Sequence, residues 1–417
     1  MNFGDVYLID ALRTPIGNID GSLSQITATG LGVPLIREFI RRYPLVEEKT
    51  EHIILGNSVS AGVGQNPARQ TALSGGVTPR ANAFTVNQVC GSGMSVVGLS
   101  RSIMLDQHSP LIIAGAIESC SNMPFLVSKK DSRSGNSILV DSLYKDALHC
   151  GIETIPMGEV AEAYARDSRI SREEQDDYAF ATQVRAAEAR RAGVFREEIL
   201  PLETEPGKVL EQDEKIRENL RREALSRLRP VFARKGTVTP GNASGLGDGA
   251  SLLLLAQKDF ARRNGLKPMV RFVDTCSLGT PVESVFSGQA QVFWKLLQRN
   301  RLKAGDIDLF EVGESFACTV LGFLRETGVP PEKVNLWGGD IALGHPMGAS
   351  GARLLVTLAH ALIREGKRRG IAVMSMGGGH SIGVLLETVN ENPLLSAAAK
   401  IIPAGWPLLP GFPGSSD

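Results

Sequence analysis

The chain lacks any surplus of charge: 45 basic residues stand against 45 acidic ones in 417. No global field draws it to nucleic acid or an anionic membrane, so any attraction for anions must be local. It also lacks the run of ~18 apolar residues that a membrane span needs, and its first residues, MNFGDVYLIDALRTP, contain no basic flank leading into an apolar stretch. The expectation is a cytoplasmic protein with no nucleic-acid partner and no membrane span. Cysteine is scarce and scattered. Cys90, Cys120, Cys150, Cys276 and Cys318 form no CxxC pair and are odd in number, which argues against a disulfide framework and against a metal site and leaves reduced thiols.

Glycine, by contrast, is plentiful, with 45 residues in 417 against a usual ~7%. Many fall in short runs beside residues able to do chemistry, which points to sites built from backbone. Strand patterns at 5–11, 53–59, 83–89 and 111–117 alternate with helical ones at 30–42 and after Cys90. The run LIIAGAI is too continuous for a half-exposed strand, so the sheet is expected to be covered on both faces. The same order returns at 269–275, 286–299, 308–312, 315–327 and 350–365, ending in IAVMSM and IGVLLETV. Two similar halves follow. The last two strands are joined by the glycine turn GGGHS, whereas LIIAGAI and ASLLLLAQ are about 130 residues apart, so an insertion is expected there. We divide the chain into a first half (1–118 with 250–267), an inserted segment (119–249), a second half (268–390) and a Pro/Gly-rich tail (391–417). Within the insertion, Ser171 and Glu174 form a capping box for a helix that Gly193 stops. The charged stretch EQDEKIRENLRREALSRLR reads as a solvated helix face, with nucleotide phosphate binding as the alternative.

In VNQVCGSGM, Cys90 follows a strand and begins a helix, where free N–H groups and the helix dipole favour thiolate. A lone cysteine fits a structural role as well; the glycines beside it allow close approach of a ligand. In GGDIALGHPMGASGARLL, His345 could take a thiol proton. Alone it reads equally as structural or metal-binding. The three glycines of VMSMGGGHS could present N–H groups as an oxyanion hole or simply close a hairpin.

VNQVCGSGM, GQNPARQTAL, MGEVAEAYARDSRISREEQDDYA, GTVTPGNASGLGDGA and GGDIALGHPMGASGAR, in this order from about residue 5 to 389, together resemble thiolases. That resemblance implies an α/β fold with a five-layered αβαβα core of two similar halves and an inserted CoA-binding loop domain. It implies a C-acyltransferase that forms or cleaves 3-oxoacyl-CoA through an acyl-Cys90 thioester, with His345 as its activating base. The N–H groups of Cys90 and Gly377 would hold the thioester oxyanion, and Met157, Phe232, Ser244, Leu246 and Phe316 would line the CoA site. Coenzyme A thioesters would be substrates, no cofactor would be needed, and a homodimer or homotetramer, or a partner subunit, would be the working form.

The likeness has gaps. Ser375 stands where the family carries a second cysteine as base, Gly313 opens the family's Asn-Glu-Ala-Phe motif, and Pro156 replaces a common histidine. His380, just past the glycines, could replace the base directly or by deprotonating Ser375, although a histidine in a hairpin turn is more often a hydrogen-bonded surface residue. These gaps keep other readings open: condensation with a carboxylated donor, acyl-CoA hydrolysis, O- or N-acyl transfer, or a non-catalytic subunit.

Overall fold

The computed structural model describes residues 5–130 and 137–389; the expected tail at 391–417 lies outside them. Its main sheet runs through β1 (Val6–Arg13), β2 (His52–Gly56), β3 (Asn82–Val86), β4 (Leu111–Ser119), β5 (Gly247–Gln257), β6 (Val270–Gly279), β7 (Leu309–Val312), β8 (Arg369–Met376) and β9 (His380–Thr388). Their order across the sheet is β7-β8-β9-β6-β1-β5-β4-β2-β3, with the two-residue strand Gly17–Asn18 added on β5.

This order contains the repeat. In the first half, strands one to five (β1 to β5) lie as third, second, fourth, fifth, first. The second half lies as second (β7), fourth (β8), fifth (β9), first (β6), and its third strand is reduced to one parallel bridge, Phe310 to Val334. Directions match too: second and fourth run parallel, fifth is antiparallel to both its neighbours. The halves meet through β1 and β6, where Val6, Tyr7 and Leu8 oppose Phe272, Arg271 and Val270.

Period-two alternation sorts side chains into layers. On β5, Leu252 and Leu254 pack outward with α1 (Ala28–Arg42) and α2 (Pro67–Gly75), while Leu253 and Leu255 face inward. On β8, Ala372 and Met374 face inward, whereas Ile371 and Val373 face α6 (Gly288–Asn300) and α7 (Ala317–Thr327). The middle layer is α3 (Ser92–Asp106) against α8 (Met347–Arg364). Glycine permits their approach: a Cβ on Gly93 would lie 2.7 Å from Ala352 N, and one on Gly351 would lie 2.9 Å from Met94 N.

The chain between β4 and β5, which are antiparallel neighbours, carries α4 (Met157–Asp167) and α5 (Arg172–Arg191). The Ser171–Glu174 capping box is present, Ser171 Oγ accepting from Glu174 N and Ser171 N donating to Glu174 Oε2. The charged stretch departs from expectation. Only Arg222–Ser226 is helical, and Asp213 is buried, accepting two hydrogen bonds from Arg13 at 2.7 and 2.9 Å while Glu198 accepts a third at 2.7 Å. A buried cation on β1 has claimed this carboxylate from a run whose other charged residues are exposed or half-buried. Among the described residues, no helix is long and apolar enough to cross a membrane.

Candidate active site

After β3 the chain turns through Asn87, Gln88 and Val89 into α3. Val89 has φ 50°, a left-handed conformation that a β-branched residue holds only under constraint. Local bonds supply it: Val89 N donates to Asn87 Oδ1 (2.9 Å), Gln88 N to Ser92 Oγ (2.8 Å), and Ser92 Oγ–H to Val89 O (2.6 Å). Cys90 is thereby fixed on the sharp turn that starts the central helix. The expectation of a resting thiolate is reversed, because burial pushes the thiol up to about 12. Asp340 and Glu118 add to this, and the N–H groups of Cys90 and Gly377 at the sulfur oppose it. Desolvation of a full charge outweighs the partial charges of a helix terminus.

His345 occupies the matching turn before α8. Its N–H donates to Gly245 O (2.9 Å), its Nδ1 meets Ser350 Oγ at 2.7 Å, and the ring is buried. Burial holds the imidazole pKa below its usual value, with Asp340 opposing and Arg353 adding, so the ring is a neutral proton acceptor near pH 7. Under this turn lies a buried polar frame. Glu314 accepts from Tyr178 Oη (2.6 Å), Asn335 Nδ2 (2.7 Å) and Ile341 N (3.0 Å), while Asp340 accepts from Glu314 N (2.9 Å) and Arg353 Nη2 (2.8 Å). Strand β7, helix α5 of the insertion and the His345 loop are thus tied at one point.

One cavity of about 250 Å³ is lined by Cys90, His345, Ser375 and Gly377 together with Met157, Phe232, Ser244, Leu246 and Phe316. Ser244 is anchored by Ser315 O, which accepts its N–H (3.0 Å) and its hydroxyl (3.1 Å), and Leu246 bridges to His345. Phe232 lies against bare backbone: a Cβ on Gly158 would sit 2.3 Å from its ring.

His380 is a correction. It opens β9 opposite Met376, its side chain is exposed, and it does not line the cavity. The hairpin closed by Gly377–Gly379 pairs Ser375 with Ser381, one residue further on, and His380 with Met376. Phe286 and Gln289 are among the residues that escaped the sequence reading. Phe286 lines the cavity, stacked edge-on to Phe316 at 5.8 Å, and buried Gln289 lies behind Ser375. The only signal was the Ser-Gly pair between them, since the structure breaks the expected helix at 286–299 into a 3-10 turn (Val282–Ser287) and α6.

A thiol, a neutral imidazole and two inward N–H groups meet at one mostly apolar cavity. Comparison with known proteins takes this further. Residues 6–259 match the family "Thiolase, N-terminal domain" and residues 266–388 match "Thiolase, C-terminal domain". The acetyl-CoA acetyltransferase of Escherichia coli K12 is 40% identical over 389 residues, 92% of this chain and 99% of that protein. A probable acetyl-CoA acyltransferase of Staphylococcus aureus strain COL is 40% identical over 387 residues, 91% of this chain and 98% of that one. Among solved structures, the acetyl-CoA acetyltransferase of Bacillus anthracis superposes with TM-score 0.89 at 32% identity, over 93% of this chain and 99% of that one. A thiolase of Ascaris suum in complex with coenzyme A gives TM-score 0.88 at 35% identity, over 92% and 100%. The chain belongs to the thiolase family and is a C-acyltransferase of the thiolase type.

Proposed function

We propose that the protein interconverts two acyl-CoA molecules with a 3-oxoacyl-CoA and free CoA, through an acyl thioester on Cys90. The observation that carries this reading is the convergence of Cys90, His345 and Gly377 on one cavity. In the acylation step Sγ attacks the thioester carbonyl as its proton passes to His345. The N–H groups of Cys90 and Gly377 receive the oxyanion, and the departing CoA sulfur takes the proton from His345. A thiol poised near 12 makes this coupled transfer necessary, because free thiolate is scarce at neutral pH. The α-carbon of a second thioester then gives up its proton to His345 and attacks the acyl carbonyl, and the Cys90 sulfur leaves and takes that proton back, so no proton is gained or lost; cleavage is the reverse path. As written, the reaction uses no metal or redox cofactor.

Met157, Phe232, Ser244, Leu246 and Phe316 form the CoA and acyl wall in this reading. The free cysteines Cys90, Cys120, Cys150, Cys276 and Cys318 suit a reducing, cytoplasmic setting. Exposed Phe125, Ile138, Leu139 and Ile152 on the insertion support a homo-oligomer.

Intact-protein mass spectrometry after incubation with acetyl-CoA and longer acyl-CoAs tests the proposal. Wild type is expected to gain the acyl mass, Cys90→Ala is not, and 3-oxoacyl-CoA turnover is expected to disappear with it. An adduct without 3-oxoacyl turnover points to water, an alcohol or an amine as acceptor.

A further inference from the structure

Ser375 lies on the outward face of β8, beside Gln289 in the first turn of α6. Gln289 is fully buried, and its Nε2 is 3.2 Å from Gly313 O and 3.4 Å from Ser375 Oγ. The direction of the amide is set by chemistry: Gly313 O can only accept, so the NH2 group must face it, and a flipped amide would oppose two carbonyl oxygens. The two hydrogens of Nε2 then serve two acceptors, Gly313 O and Ser375 Oγ. Gln289 Oε1, turned the other way, has no protein partner.

We infer that Gln289 is a positioning residue that holds the Ser375 hydroxyl as a hydrogen-bond donor to a carbonyl or enolate oxygen of the bound acyl-CoA. Ser375 accepts from the amide, so its own proton is directed away from Gln289, and its side chain lines the cavity that holds Cys90 and His345. A serine used in this way takes no proton from the substrate. It contributes as an oriented dipole to an oxygen that gains charge. Gly313 is part of the arrangement: a Cβ there would stand 3.1 Å from Met374 Cε, and the bare backbone leaves its carbonyl shared between Gln289 and Thr319 Oγ1, also at 3.2 Å.

The inference rests on the thiolase reaction proposed above, and the test separates the two. Cys90 acylation by acyl-CoA and single-turnover cleavage of a 3-oxoacyl-CoA with CoA are measured in wild type, Gln289→Met, Gln289→Glu, Ser375→Ala and the double variant Gln289→Met/Ser375→Ala, each with its melting temperature. Gln289→Met is expected to lower cleavage about tenfold more than it lowers acylation, and to add nothing on top of Ser375→Ala. Gln289→Glu is expected to cleave well only while its carboxyl is protonated. Once ionised it draws the Ser375 proton to itself and faces Gly313 O with no donor, so its rate falls with pH where the wild-type rate does not. Equal losses in both steps that simply add in the double variant, or a Gln289→Glu pH profile like the wild type's, would overturn the inference. A wild type without 3-oxoacyl-CoA turnover would instead overturn the reaction on which it stands.

Discussion

The two residues given the proposed chemistry both rest uncharged: half-buried Cys90 with its thiol pushed up to about 12 and buried His345 with its imidazole pKa held down. The sign of the pH dependence follows. A base whose pKa is held below the usual 6.5 stays unprotonated further into acid, so the acid limb of Cys90 acylation is expected to lie below 6.5. A rapid-quench pH series measures this; an acid limb centred at 6.5 would contradict it. Ser350 Oγ fixes the ring through Nδ1 at 2.7 Å, so Ser350→Ala is expected to slow acylation on the order of tenfold by freeing the ring's orientation. Cys90 and His345 were legible in the sequence because each stands beside a glycine at a helix start. The protonation state of Cys90 was not, because burial is a property of the packed chain. His380 misled for a related reason: the hairpin register gives Ser375 the partner Ser381 and leaves the His380 side chain exposed.

At the scale of elements, alternation and helix punctuation were readable wherever one face is buried and the other is not. The strands of both halves and the capping box of α5 fall where their patterns put them. The stretch before α6 was not readable, since Phe286 in a helical pattern looks like ordinary core. The 3-10 turn swings it to the cavity wall, between Phe316 at 5.8 Å and Tyr164 at 5.6 Å. Phe286→Ala is therefore expected to raise kcat/KM for longer acyl-CoAs relative to acetyl-CoA by about tenfold, the scale of a methylene or so of pocket depth. A chain-length series on both proteins reads this, and an unchanged profile would place the acyl end elsewhere. The run at 211–229 was misjudged as a helix face because a mixed-charge sequence does not disclose that a distant arginine needs a partner.

That arginine belongs to the whole molecule. Arg13 on β1 is buried between Glu198 and Asp213 of the insertion, clamping the inserted segment to the first half. Arg13→Met would leave two carboxylates buried without a cation. The expected loss is about 3–5 kcal/mol, seen as a lower urea midpoint, and removing either carboxylate alone should cost less because the other remains paired. A loss under ~1 kcal/mol would mean that water reaches the site readily.

The repeated strand order places Cys90 and His345 at corresponding points, each at the turn before the central helix of its half, α3 or α8. Two identical halves meeting about a twofold axis could present only like with like: a pair of thiols, or a pair of imidazoles. A nucleophile facing a base requires the copies to drift apart in sequence while keeping one shape, and that freedom comes from joining them in a single polypeptide. In this chain the duplicated architecture has kept its symmetry in the backbone and lost it at the one place where asymmetry is what makes a reaction.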